Sequence, residues 1–83
     1  MRGRLEIIAD ILSAAREPST KTSIVYDANL SFKQAQRYLE KCLEEGLIDA
    51  QEHSSKKYEI TDKGSEYLSA YRELKEKIET EDA

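Results

Sequence analysis

The side chains best suited to chemistry in this sequence are cations and carboxamides rather than a catalytic set. Lys33, Gln36, Arg37 and Lys41 fall within eleven residues of Ser31, at offsets that share one side of a helix if the segment is helical. A guanidinium at Arg37 can clamp a phosphate or reach guanine O6 and N7, while a carboxamide such as that of Gln36 matches adenine and an ammonium suits phosphate or guanine. Lys56 and Lys57 lie together in the polar run E-H-S-S-K-K, and a basic turn of this kind can lie along a phosphate backbone. Lys21, Thr22 and Ser31 open helical runs, with Arg16 upstream, where hydroxyls, ammonium groups and backbone N–H groups all attract phosphate. A plainer reading stands beside each of these. Arg37 can be tied up in a pair along its own helix, Gln36 can be merely solvated, Ser31, Thr22 and Gln34 can simply cap, and a lysine pair suits any soluble hairpin.

Catalysis finds no such support. There is one histidine, His53, with no second ligand at metal spacing, and one cysteine, Cys42, on an apolar helical face. The chain has no glycine-rich phosphate loop and no paired carboxylates in an apolar setting. A non-enzyme without metal or cofactor is expected. No run approaches the length of a membrane span and no signal peptide is recognisable, so a cytoplasmic protein is expected.

The 83 residues suffice for one domain with a thin margin of stability, since a chain of this size buries only about 60% of its unfolded surface. A hydrophobic share of 39% against 36% charged residues fits a small core with a long exposed helix. The net charge of −4 opposes nucleic acid on its face, but it is unevenly spread. From Gly64 onward six acids face Arg72, Lys75 and Lys77, whereas the run from Ser31 to Lys41 sets Lys33, Arg37 and Lys41 against Glu40 alone. The sign on the contacting face counts for more than the total.

The elements that must position these groups follow from periodicity. Leu5, Ile8, Leu12 and Ala15, widened by Ile7 and Ile11, predict a first helix over 4–16 that ends before Pro18. Thr20 or Thr22 caps a short second helix burying Ile24, Val25 and Ala28, with Asn29 at its left-handed end and Leu30 plugging the turn. Ser31 caps a third helix, Gln34 completes a capping box, Ala35, Leu39, Cys42 and Leu43 form its buried face, and Gly46 ends it. Leu47 and Ile48 begin one strand; Tyr58 and Ile60 alternate with Lys57 and Glu59 in another, with Glu52 to Lys56 as the tip. A last helix opens near Thr61 or Asp62. Its Tyr67, Tyr71, Leu74 and Ile78 are spaced as a heptad seam, while Leu68 can turn back to the core. Helix, hairpin, helix behind two shorter helices is the layout of a winged helix-turn-helix: a mainly α fold with a small β-hairpin. The expected division is a winged domain over 1–62 and a dimerisation helix over 63–83.

The stretches L-E-E-G-L-I and K-Y-E-I-T-D-K-G-S-E-Y-L look like the core of archaeal and bacterial winged-helix regulators. R-L-E-I-I-A-D-I-L, K-T-S-I-V-Y-D-A-N-L-S-F and Q-R-Y-L-E-K extend the likeness over nearly the whole chain. Together they resemble the small archaeal winged-helix proteins typified by the ten-kilodalton "a" class of Sulfolobus DNA-binding proteins, a family of predicted transcriptional regulators. The resemblance implies binding of double-stranded DNA by a homodimer whose C-terminal helices pair as an antiparallel coiled coil. Two departures are visible: a shorter C-terminal helix and an acidic rather than basic chain. The alternative from another class is a winged-helix adaptor that uses the same helix or hairpin against a protein surface.

Overall fold

The computed structural model describes residues 2–52 and 55–81. The elements run α1 (Arg4–Ala14), α2 (Lys21–Asp27), α3 (Phe32–Glu44), β1 (Ile48–Glu52), β2 (Lys56–Ile60) and α4 (Asp62–Glu81). This is the mainly helical winged helix-turn-helix order, with a two-stranded antiparallel hairpin. The strands reach further than the pattern indicated. Glu52 and Lys56 are the last cross-strand pair of the ladder rather than part of the tip, and the expected loop residues His53 and Ser54 lie outside the described residues.

Local chemistry at the helix ends sets the path of the chain. Thr20, not Thr22, caps α2, its Oγ1 accepting from Ser23 N at 3.2 Å. Asn29 then takes φ 55°, and Leu30 N bonds to Val25 O at 3.0 Å while Asn29 N bonds to Tyr26 O at 3.3 Å. This paired 6→1 and 5→2 closure satisfies the last carbonyls of the helix. The end of α3 repeats it: Gly46 at φ 72° lets Leu47 N reach Cys42 O (2.8 Å) and Gly46 N reach Leu43 O (3.1 Å). In both cases the following leucine, Leu30 or Leu47, drops into the core.

One core gathers all the elements. Ile7, Ile11, Leu12 and Ala15 of the first helical segment meet Ile24, Ala28, Ala35, Leu39, Cys42, Ile48, Tyr58 and Leu68. Leu5 does not join them; it is 61% exposed. The buried line runs along Ile7, Ile11 and Ala15, one residue round the helix from the expected Leu5–Ile8 line, which rotates the first turn of α1 outward. Tyr58 fastens the hairpin to the helices by exchanging backbone bonds with Ser19, at 2.9 and 2.8 Å, as a one-residue third strand.

α4 begins inside this core. Thr61 Oγ1 accepts from Gly64 N at 3.0 Å and donates to Gly46 O at 2.6 Å. The helix approaches β1 so closely that a Cβ on Gly64 would stand 2.1 Å from Leu47 O. Leu68 is buried, and Tyr67 and Tyr71 are half-buried against the same core. Arg72 Nη2 donates to Ser13 Oγ at 3.1 Å. Beyond that point Leu74 and Ile78 are 59% and 51% exposed. The longest dimension of the molecule is 48 Å, and a helix of this length accounts for about 30 Å of it.

Candidate functional site

The outward face of α3 is held on a fixed scaffold. Ser31 Oγ accepts from Gln34 N at 3.1 Å and Gln34 Oε1 accepts from Ser31 N at 3.2 Å, a reciprocal capping box. Ala35, Leu39 and Cys42 are buried below. Burial pushes the Cys42 thiol up to about 11, so it stays protonated at neutral pH and acts as packing rather than as a nucleophile. Above, Phe32, Lys33, Gln36, Arg37, Glu40, Lys41 and Glu44 face solvent.

These side chains are not equally available. Lys21 Nζ donates to Gln36 Oε1 and lies 5.9 Å from the centre of the Phe32 ring, near the limit of a cation–π contact. Gln36 Nε2 donates on to Glu40 Oε1 at 2.7 Å. Glu40 is thus engaged by Gln36, and Arg37 is not tied to it. Among the described residues neither Lys33 nor Arg37 has an ion-pair partner, and Lys41 has only Glu45, at 3.9 Å. Ser31 and Gln34 are committed to the cap. The sequence-level cluster therefore divides into Lys33, Arg37 and Lys41, which are open to a ligand, and the Lys21–Gln36–Glu40 chain, which is internally satisfied.

The hairpin presents a more mixed surface. Lys56 Nζ is 3.7 Å from Glu52 Oε1 and 5.7 Å from the Tyr58 ring centre. Lys57 is exposed opposite Gln51, whose Nε2 donates to Glu59 Oε1 at 3.0 Å. Asp49 stands directly across from Glu59, a like-charge pairing that disfavours anions nearby. Arg16 is elsewhere, lining a cleft with Ser65, Leu68, Ser69 and Arg72 of α4.

Three residues acquire importance only in the structure. Arg4, in the first turn of α1, shares a cleft with Ile8, Arg37, Tyr38 and Lys41. Arg2 bonds Asp10, Ala28 O and Asn29 O at 2.6–2.7 Å, tying the start of the chain to the α2–α3 turn. Phe32 exposes an aromatic ring at the start of α3. Basic composition near the N-terminus was the only signal for the two arginines, because their position against α3 depends on how the helices cross.

Of the heptad residues on α4, Tyr67 and Tyr71 lie partly against the core and Leu74 and Ile78 stand free of it. The Tyr67 hydroxyl is buried with no hydrogen-bond partner among the described residues. Its pKa is pushed up by burial, and further by Cys42 and Tyr71 nearby. Among the described residues no cluster of three or more His, Cys, Asp or Glu is arranged to hold a metal ion, and no helix is long and apolar enough to cross a membrane.

A family model described as winged helix-turn-helix matches residues 1–79. Among solved structures, the chain is similar to Sso10a-2, a DNA-binding protein from Sulfolobus solfataricus. The two share 30% identity at a TM-score of 0.87, over 95% of this chain and 84% of that one. A MarR-family transcription regulator shares the fold at 19% identity and TM-score 0.79, and the alignment covers 92% of this chain but 52% of that protein. ZitR of Lactococcus lactis, solved in complex with DNA, shares it at 20% identity and TM-score 0.61, over 93% of this chain and 63% of its own. No curated protein matches the sequence.

Proposed function

Because the chain belongs to the winged helix-turn-helix family, we propose that it is a cytoplasmic, non-enzymatic DNA-binding protein, a transcriptional regulator or small chromatin-associated protein acting as a homodimer. The observation that carries this reading is the pair of unneutralised cations, Lys33 and Arg37, on the outward face of a helix capped at both ends. A helix so held enters a major groove without further ordering, and its N-terminal turns meet the base edges. Lys33 and Arg37 then contact guanine or phosphate, with Gln36 oriented by Lys21 and Glu40 beside them. Lys41 meets phosphate on one flank and Lys21, with the donors that its bond to Gln36 leaves over, on the other; Lys56 and Lys57 carry the hairpin along the backbone. Ser31 contributes its cap, which sets the angle at which α3 begins.

Fluorescence anisotropy of a labelled mixed-sequence duplex, titrated at several salt concentrations, tests this. Phosphate contact gives a log–log line of slope about −0.9 per phosphate neutralised. Absence of binding at low salt overturns DNA binding in favour of a protein-interaction adaptor. That second reading is favoured by specific acids: Glu40 and Glu44 on α3, and Asp49, Glu52 and Glu59 on the hairpin.

The dimer is assigned to α4, with Tyr67, Tyr71, Leu74 and Ile78 as the seam and the helices antiparallel. Support comes from Leu74 and Ile78, which project from a helix that has already left its own core. An apolar stripe on such a helix is stabilised by burial against a second copy. Light scattering after size exclusion is expected to give twice the 9.5 kDa chain mass. Replacing Leu74 and Ile78 by Lys is expected to give a folded monomer; a wild-type monomer at tens of micromolar overturns the dimer.

A further inference from the structure

Arg4 comes from α1, and Arg37 and Lys41 from α3, yet the three share one cleft of about 310 Å³ whose other walls are Ile8 and Tyr38. All three cationic residues are exposed, and no acid lines the cleft. Arg4 and Arg37 have no ion-pair partner among the described residues, and the 3.9 Å approach of Glu45 to Lys41 exceeds hydrogen-bonding distance. Like charges gathered round a concavity reinforce one another's potential, and the apolar faces of Ile8 and Tyr38 shield it less than water would. The cleft is positive although the chain as a whole carries −4.

The backbone that carries Arg4 is also anchored in advance. Arg2 binds Asp10 Oδ2 at 2.7 Å, Ala28 O at 2.6 Å and Asn29 O at 2.6 Å, so the residues just before α1 are tied to the turn that launches α3. Arg4 stands two residues beyond that clamp. Less ordering is then needed when an anion arrives than on a free N-terminal arm.

We propose that the Arg4–Arg37–Lys41 cleft seats one phosphodiester oxyanion of the DNA backbone, on the flank of α3 that faces α1. This rests on the DNA-binding reading above and adds Arg4, from outside the helix-turn-helix and the hairpin, to the contacting surface. Arg37 then faces both ways, with its guanidinium shared between the groove and its wall.

The test is the salt dependence of duplex binding by the full chain, comparing wild type with Arg4→Gln and Arg4→Lys. The expected result is a slope about 0.9 shallower for Arg4→Gln, one phosphate fewer, and a wild-type slope restored by Arg4→Lys. An unchanged slope for Arg4→Gln, with wild type binding normally, overturns the cleft and leaves DNA binding intact. Failure of wild type itself to bind at low salt overturns both. Inorganic phosphate titrated against isotope-labelled protein separates the two sources of this anion. Saturable shifts at Arg37 and Tyr38 alongside an unchanged Arg4→Gln slope assign the cleft to free phosphate and overturn the backbone assignment.

Discussion

α3 and α4 are both amphipathic helices seated on the same core, but they turn opposite chemistry outward. α3 buries Ala35, Leu39 and Cys42 along its length and shows solvent a face that is polar and, at Lys33 and Arg37, unneutralised. α4 buries only its first half, through Gly64 and Leu68, and then carries Leu74 and Ile78 into solvent. An exposed cationic face attracts anions; an exposed apolar stripe on a protruding helix is lowered in free energy only by another apolar surface. On the proposed reading the contrast separates two jobs on one small chain, contact with a polyanion and contact with another protein surface.

The largest effect that bears on this contrast comes from one change made on both helices. Leu39→Ala, at a residue 2% exposed, is expected to cost about 3 kcal/mol, within the range for buried leucines. Leu74→Ala is expected to change the stability of the single chain by less than about 0.5 kcal/mol. Urea denaturation at low protein concentration compares the two, and a cost for Leu74→Ala approaching that of Leu39→Ala would end the distinction. Repeating the melts at rising concentration sharpens it, because only the loss of a dimer makes the Leu74→Ala deficit grow with concentration.

Gly64→Ala comes next. The added methyl would meet the Leu47 carbonyl at 2.1 Å and the Ile60 side chain, through Cγ1, at 2.8 Å, and the Leu47 backbone has little room to yield. A loss of about 2 kcal/mol is expected, or roughly a 10 °C fall in Tm for a domain of this size. A calorimetric Tm within a degree of wild type would mean that α4 is seated more loosely than α3. Ser31→Ala removes one half of the α3 capping box and is expected to cost about 1 kcal/mol, with a parallel weakening of duplex binding if the start of α3 enters the groove. Equal duplex affinity for Ser31→Ala and wild type would separate the cap from the contact surface.

The smallest effect concerns the one buried hydroxyl left without a partner among the described residues. Tyr67→Phe removes it and is expected to raise stability by up to about 1 kcal/mol, since the phenol loses its water without gaining a bond. Titration supports the same experiment. With the Tyr67 pKa raised by burial in the folded chain, the phenol ionises first in the unfolded chain, so the folded state loses stability as pH rises above 10. The wild type is therefore expected to lose stability in alkali more steeply than Tyr67→Phe. If Tyr67→Phe is instead less stable, the hydroxyl has a partner in solution, such as water or the second chain of a dimer.

Much of the fold was legible because its determinants are close in sequence. The Ser31–Gln34 box, the left-handed Asn29 and Gly46, and the alternation of Lys57, Tyr58, Glu59 and Ile60 each involve residues a few positions apart. Such interactions depend on backbone dihedrals more than on what lies across the core. The candidate surface was legible only as an inventory. Lys33, Gln36 and Arg37 share a helix face at any crossing angle, but nothing local distinguishes the bonded Gln36 from the open Arg37.

What the sequence determined by itself, then, was the order of elements, their ends, and the basic character of α3, all encoded in periodicity, caps and turn residues within reach of one another. The tertiary structure decided which way each face pointed. Leu5 turned outward because the buried line of α1 follows Ile7, Ile11 and Ala15. Arg4 came beside Arg37 because α1 crosses α3, and Gly64 met Leu47 because α4 docks at the base of the hairpin. These contacts join residues from 17 to 33 positions apart. Packing of side chains across the core selects them, and no local periodicity carries that information.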